Sequence, residues 1–164
     1  MATTNSTSFE TFDGGCACGA VRYRLAGPPM FVHCCHCTEC QRLSGSAFSM
    51  NAPIEADRLT LLSGQPQALL APSGSGRTQA IQRCPDCGVA LWAYHPDLGE
   101  VVALVRIGTL DHPHAFIPGA HCFTRSKLPW VAIPDDVPAA EGHYDFEAVW
   151  PPASLERLAS VIGG

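Results

Sequence analysis

Cysteines are the strongest constraint on the fold of this 164-residue chain, because most of its nine cysteines stand in closely spaced groups. Cys16 and Cys18 form one pair, and Cys84 and Cys87 form another. Together the pairs supply four thiolates, the number that tetrahedral zinc takes in a structural site. Glycine follows the second cysteine of each pair and allows the backbone to turn beneath a metal. The sequence therefore predicts one structural zinc held by these four residues.

Three other interpretations of the pairs stay open. A thioredoxin-like redox pair at Cys84 and Cys87 requires a helix after it, whereas residues 89–94 favour a strand. Iron in a rubredoxin-like site uses the same four thiolates. The third alternative is a set of buried thiols that bind no metal.

A second and denser cysteine group lies within residues 33–41. Cys35, Cys37 and Cys40 have a spacing that can wrap three thiolates around one metal. Cys34 is expected to be a buried apolar residue instead, because successive side chains of an extended segment diverge. Three protein ligands with one free position are typical of a catalytic zinc. The sequence therefore predicts a second, open zinc site.

The ligands of this second site also indicate its chemistry. A zinc ion with three thiolates is electron-rich and activates water poorly, but it can hold an incoming thiol as a thiolate. His36, with His33 and His121 as alternatives, is a candidate proton donor next to these catalytic cysteines. The opposing interpretation is that one of these histidines closes the coordination and makes the site structural.

Composition restricts the class of protein and its partners. Hydrophobic residues make up 46% and charged residues 15% of the chain, which indicates a globular protein. The net charge of −5 argues against nucleic acid as a partner. The polar N-terminus leads us to expect no secretory signal, and the absence of a long apolar run leads us to expect no membrane span. We therefore expect a cytoplasmic protein with reduced thiols.

Short apolar runs separated by glycine and proline predict a mainly β protein. We expect a disordered tail over residues 1–10 and a single zinc-binding domain over 11–164. The predicted strands are Ala20–Leu25, Ala47–Asn51, Arg58–Leu62, Val89–Tyr94, Val101–Ile107 and His121–Phe123. The predicted helices are a short one at Thr38–Ser44 and an amphipathic one at Pro152–Ile162. The Ser-Gly stretch at 73–76 is expected to be a mobile loop.

Five ordered motifs over residues 14–138 resemble one known family, the glutathione-dependent formaldehyde-activating (GFA) enzymes, which include centromere-protein-V-like proteins. The motifs are Gly-Cys-Ala-Cys-Gly-Ala-Val-Arg-Tyr from Gly15, Cys-His-Cys-Thr-Glu-Cys-Gln-Arg-Leu-Ser-Gly-Ser-Ala-Phe from Cys35, Cys-Pro-Asp-Cys-Gly-Val-Ala-Leu from Cys84, Gly-Thr-Leu-Asp-His-Pro from Gly108, and His-Cys-Phe-Thr-Arg-Ser-Lys-Leu-Pro-Trp-Val-Ala-Ile-Pro-Asp from His121. The chain departs from the family pattern at Arg83, where an aromatic residue is usual, and at Cys122, where an aliphatic residue is usual.

The resemblance implies a β-tent fold of several small antiparallel sheets and the two zinc sites described above. It also implies a carbon–sulfur lyase-type reaction that joins glutathione and formaldehyde as S-hydroxymethylglutathione. We expect Arg42, Arg125 and Lys127 to bind the carboxylates of glutathione. The alternatives are a thiol-binding zinc protein without turnover and a zinc interaction module like the chaperones of small GTPases. Exposed strand edges favour a homodimer as an option.

Overall fold

The computed structural model describes residues 10–163, and its strands form two sheets. The smaller sheet contains β1 (Thr11–Gly15), β2 (Arg22–Ala26) and β5 (Leu59–Ser63). These strands pair antiparallel in the order β1–β2–β5. The predicted tail over residues 1–10 lies, except for Glu10, outside the described residues.

The larger sheet has seven strands. They are β3 (His33–Cys35), β4 (Ser49–Glu55), β6 (Gln67–Pro72), β7 (Thr78–Arg83), β8 (Ala90–Tyr94), β9 (Val102–Arg106) and β10 (Ala120–Cys122). Their order is β10–β3–β4–β9–β8–β7–β6. β10 pairs with β3 in parallel, in contrast to the all-antiparallel expectation, and the other pairs are antiparallel. The parallel pair arises because the chain crosses from β9 to the far edge instead of turning in a hairpin.

Among residues 10–163, three α-helices complete the fold: α1 (Thr38–Ser44), α2 (Phe146–Val149) and α3 (Pro152–Ile162). The mainly β fold with a short C-terminal helix is therefore confirmed. α3 is fixed to the larger sheet by an ion pair of 2.6 Å between Arg157 and the buried Glu55. Within residues 10–163, no helix has the length and apolar character needed to cross a membrane.

Buried side chains form two clusters, and the second one contains the cysteines of the predicted open site. The first cluster packs around Tyr23 and Leu25 of β2 and Ile54 of β4. The second joins Cys35, Cys37 and Cys40 to apolar residues of the C-terminal segment, among them Tyr144 and Trp150. The C-terminal segment therefore contributes to the surroundings of these three sulfurs.

Candidate metal centres and the adjoining cavity

Cys16, Cys18, Cys84 and Cys87 meet with all four sulfurs within 4.8 Å of one another, which we call the four-cysteine site. The Sγ atoms of Cys16 and Cys18 are 3.4 Å apart, and those of Cys18 and Cys84 are 3.7 Å apart. Zinc–sulfur bonds of about 2.3 Å in a tetrahedron place the sulfurs about 3.8 Å apart. The four sulfurs therefore fit a tetrahedral thiolate-bound metal such as zinc.

Two tight turns position these sulfurs. Cys16 and Cys18 lie between β1 and β2, where the N–H of Val21 donates to the sulfur of Cys16 over 3.2 Å. Gly88, which follows the second pair, has a φ of 74°, and its N–H donates to the carbonyl of Cys84 over 2.9 Å. Only glycine adopts this backbone conformation without strain. The glycine after each pair therefore has the local role that the sequence predicts.

Cys35, Cys37 and Cys40 form a second group whose sulfurs lie within 4.8 Å of one another, which we call the three-cysteine site. Cys35 ends β3, and Cys37 is the N-cap of α1, with its sulfur accepting from the N–H of Cys40 over 3.3 Å. The helical spacing of three residues places Cys37 and Cys40 on the same face. All three are at least 94% buried, with relative exposures of 6%, 5% and 6%.

Groups around the three-cysteine site favour a thiolate at Cys40. Hydrogen bonds from the thiols of Cys35 and Cys37 lower the pKa of Cys40, and the positive charge of Arg106 and a contact with Asn51 act in the same direction. Asn51 reaches the Cys40 sulfur at 3.9 Å. Soft sulfur donors select thiophilic cations such as zinc, and binding of the cation removes the protons of the ligating cysteines. The donors therefore fit zinc here as well.

A cavity of about 330 Å³ opens from the three-cysteine site, and we call it the site cavity. The three cysteines form part of its wall, and most of the accessible surface of the wall is apolar. Its polar residues come from elements far apart in sequence: His33, Asn51, Ser73, Ser75, Gln79, His95, Asp97, Arg106 and His143. Apolar pockets with a few converging polar groups are typical of small-molecule sites. The three-cysteine site therefore has room for a bound molecule.

The predicted proton donor His36 does not line the site cavity. Its side chain has no exposed surface, and its Nε2 lies 2.8 Å from Nδ1 of His121. Burial and the neighbouring His121 lower the pKa of His36 to about 4. His33 lines the cavity instead, with its Nδ1 2.7 Å from the Tyr144 hydroxyl. Burial, with a contribution from His143, also lowers the pKa of His33 to about 4.

The three predicted glutathione-binding residues also lie outside the lining of the site cavity. Arg42 is exposed on α1 and pairs with Glu39 at 3.0 Å. The guanidinium carbon of Arg125 lies 5.6 Å from the centroid of the Phe123 ring. Lys127 donates to the carbonyls of Leu128 and Val131. Their role in glutathione binding stays a prediction.

The segment predicted as a mobile loop is a turn that covers part of the site, and we call it the 73–76 turn. A Cβ atom on Gly74 would lie 2.8 Å from the Cys37 Cβ and 2.9 Å from its sulfur, so the backbone packs directly on this cysteine. The hydroxyls of Ser73 and Ser75 lie 3.3 Å and 3.1 Å from Nε2 of His95. His95 therefore fixes both sides of Gly74.

Most residues of the cavity wall were not predicted as site residues, among them His95, Arg106, Cys122 and His143. Cys122 pairs in register with Cys35, and its thiol contributes to raising the pKa of Cys35. The departure from the family pattern at position 122, where an aliphatic residue is usual, was the sequence signal for Cys122. Alternation along β9 was a signal for Arg106, because Leu104 and Arg106 share a strand face. His95 and His143 carry no local pattern that distinguishes them.

Phe123, the residue after Cys122, is the only non-glycine residue among 10–163 with a positive φ, at 55°. This conformation is uncommon for an aromatic residue and is often found at functional sites. It follows Cys122 immediately, and the Phe123 ring lines the site cavity beside Gly74. The unusual backbone conformation of Phe123 therefore lies in the wall of the site cavity.

The chain is similar in sequence to known proteins. Residues 11–126 match the sequence model of the family described as glutathione-dependent formaldehyde-activating enzyme. A protein of Halomonas elongata, whose name carries the same description as a provisional assignment, is 31% identical over 128 residues, which cover 74% of this chain and 80% of that protein. A crystal structure of a Rhodobacter sphaeroides protein aligns with a TM-score of 0.48 and 20% identity, over 65% of this chain and 97% of that one.

Proposed function

The chain belongs to the glutathione-dependent formaldehyde-activating enzyme family, and from that premise we propose that it is a carbon–sulfur lyase-type enzyme acting on glutathione–aldehyde adducts. The reaction is the formation or cleavage of S-hydroxymethylglutathione or a related thiol adduct. The observation that supports it most is the pairing of a complete four-sulfur group with a separate three-sulfur group that opens into a cavity. The first arrangement suits a structural metal and the second a catalytic one.

In this proposal both metals are zinc. Cys16, Cys18, Cys84 and Cys87 hold the structural ion, and Cys35, Cys37 and Cys40 hold the catalytic one. The zinc at the three-cysteine site supplies a positive charge that keeps the sulfur of a bound thiol deprotonated and nucleophilic. We place the protein in the cytoplasm, because thiolate ligands require reduced cysteines.

The chain's own residues then bind and orient the reactants. In the forming direction the thiolate of glutathione attacks the aldehyde carbon, the C–S bond forms, and the carbonyl electrons move to oxygen, which takes up one proton. The apolar wall formed by Leu98, Leu104 and Phe146 limits the water around the reacting carbon. The 73–76 turn covers the sulfur of Cys37 from the other side.

We assign the proton transfer to His143 in preference to His36. His143 lines the site cavity, and its Nδ1 lies 2.8 Å from the carbonyl of Tyr144, to which it can only donate. Its Nε2 is therefore the nitrogen left to exchange a proton with the reacting oxygen. His36 has no exposed surface and bonds His121, which suits a supporting role beneath the cysteines.

Metal content tests the two-site assignment. We expect close to two zinc ions per chain in the purified protein and one in Cys37→Ser, which stays folded because the four-cysteine site is intact. Cys34→Ala is the matched control, since Cys34 is a buried neighbour outside both groups, and it should retain two ions. Equal zinc content in the wild-type protein and Cys37→Ser, with no effect of glutathione on the metal, would contradict the proposal.

Activity is tested by the rate of S-hydroxymethylglutathione formation above the spontaneous reaction. The wild-type protein and Cys34→Ala should accelerate it, and Cys37→Ser should not. Saturable glutathione binding without acceleration would show a thiol-binding protein instead of an enzyme. A small thiol and an aldehyde are the partners in this proposal, and the homodimer and the absence of nucleic-acid and membrane partners stay predictions.

A further inference from the structure

A second cavity, of about 410 Å³, lies beside the site cavity, and we call it the arginine groove. Leu43 and Ser44 at the C-terminal end of α1 form one side of it. Phe48, Met50 and Val89 add further apolar surface. None of its described lining residues is acidic, and two are arginines, Arg83 and Arg106. The arginine groove therefore combines an apolar wall with two positive charges.

These two arginines differ from most others in the chain. Six arginines form ion pairs with carboxylates: Arg22, Arg24, Arg42, Arg58, Arg77 and Arg157. Within residues 10–163, neither Arg83 nor Arg106 lies within ion-pair distance of a carboxylate. Arg83 donates from one terminal nitrogen to the Gly88 carbonyl, and its buried Nε has no hydrogen-bond partner. In a chain with a net charge of −5, these two guanidinium groups without a carboxylate partner line the same groove.

Arg106 connects the groove to the three-cysteine site. It lines both cavities, and one of its terminal nitrogens donates to the side-chain oxygen of Asn51, whose amide nitrogen faces the Cys40 sulfur. Arg106 and Asn51 are direct partners across β4 and β9. Arg106 is therefore the residue that the site cavity and the arginine groove share.

We infer that the arginine groove binds a carboxylate carried on a short apolar group, as part of the adduct whose sulfur lies at the three-cysteine site. A guanidinium group recognises a carboxylate through paired N–H donors, and Arg83 and Arg106 supply such donors where no protein carboxylate competes. The inference rests on the proposed function for the position of the sulfur, but the groove itself does not depend on turnover. The carboxylate belongs either to glutathione or to the aldehyde half of the adduct.

Calorimetric binding of hexanoate, a carboxylate with an apolar chain, tests the groove directly. Hexanoate should bind the wild-type protein, and hexan-1-ol, which lacks the charge, should bind at least ten times more weakly. Arg83→Gln should weaken hexanoate binding by about ten- to a hundredfold, the usual range for the loss of a charge-assisted hydrogen bond. Arg24→Gln removes the same charge from an exposed arginine of the smaller sheet and should bind hexanoate like wild type.

The same titration in saturating glutathione identifies the source of the carboxylate. Competition between the two ligands assigns the groove to a carboxylate of glutathione, and simultaneous binding assigns it to an aldehyde that itself bears a carboxylate. Unchanged hexanoate binding in Arg83→Gln, or equal binding of hexanoate and hexan-1-ol, would overturn the inference. Neither result depends on zinc content or catalysis, so a failed lyase assay with Arg83-dependent hexanoate binding would refute only the proposed function.

Discussion

Gly74→Ala tests whether the 73–76 turn closes over the three-cysteine site. The added Cβ would lie 2.8 Å from the Cys37 Cβ, 2.9 Å from the Cys37 sulfur and 3.3 Å from the Phe123 ring. Carbon atoms in ordinary contact are about 3.5–4.0 Å apart. The turn must therefore move outward by roughly 1 Å, because Cys37 is held in place as the N-cap of α1.

That movement breaks the contacts that hold the turn. The hydroxyls of Ser73 and Ser75 are already 3.3 Å and 3.1 Å from Nε2 of His95, and a further displacement of roughly 1 Å takes both beyond hydrogen-bond range. Each lost bond costs about 1 kcal/mol, and overpacking of this kind costs about 1–3 kcal/mol in all. For a chain of this size the expected decrease in Tm is roughly 2–12 °C.

The assay is thermal unfolding together with zinc content and the rate of thiol alkylation at Cys37. Gly74→Ala should lower Tm, retain the zinc of the four-cysteine site, and expose Cys37 to faster alkylation after metal removal. Gly142→Ala is the matched control, because a Cβ there meets only the Arg125 guanidinium at an ordinary 3.8 Å. If the two variants share the same Tm and alkylation rate, the turn does not cover the site.

Two further predictions concern proton transfer and the C-terminal helix. His143→Gln should lower kcat/KM for adduct formation by about 10²–10⁴-fold while glutathione binding is retained; a comparable loss in His36→Gln with a normal His143→Gln would reassign the proton transfer to His36. Burial opposes ionisation of Glu55, but the ion pair with Arg157 outweighs it and lowers the Glu55 pKa. The ion pair therefore stabilises the fold at neutral pH, and this stabilisation is lost as the pH falls below the usual carboxyl range. Glu55→Gln should therefore reduce stability by about 1–3 kcal/mol at pH 7, with a smaller difference from wild type at pH 3, and an equal difference at both pH values would refute this pairing as the cause.

Local signals in the sequence were sufficient for α1, α3 and several strands, whereas α2 was not predicted. α1 and α3 have the predicted bounds, since Cys37 caps the first helix, Gly45 ends it, and Pro152 stands at the first position of the last. The hairpin of β6 and β7 was not predicted, and the segment that connects these strands was expected to be a mobile loop. β6 carries exposed leucines at 69 and 70 without an alternating pattern, so its strand form depends on pairing with β7.

The cysteine groups were easier to predict than the cavity. The three-cysteine group is one closely spaced set and the four-cysteine group is two closely spaced pairs, and the structure places both predicted groups within reach of a metal ion. Among the other polar groups of the cavity wall, His95 directly follows β8, Arg106 ends β9, and His143 lies before α2. Their meeting depends on the strand order of the larger sheet, and a single sequence contains no local record of that order.

A simple rule of strand geometry would have predicted that His36 does not face the site cavity. Side chains alternate across a strand, so His33 and Cys35 of β3 share one face, and Cys34 lies on the other with the next residue, His36. The same rule that excluded Cys34 as a ligand therefore applies to His36, and it favours His33 as the residue that faces the cavity with Cys35. The structure agrees, because His33 and Cys35 both line the site cavity, whereas Cys34 and His36 do not. Proximity in sequence to the ligands made His36 a candidate, but the direction of its side chain is set by its position along the strand.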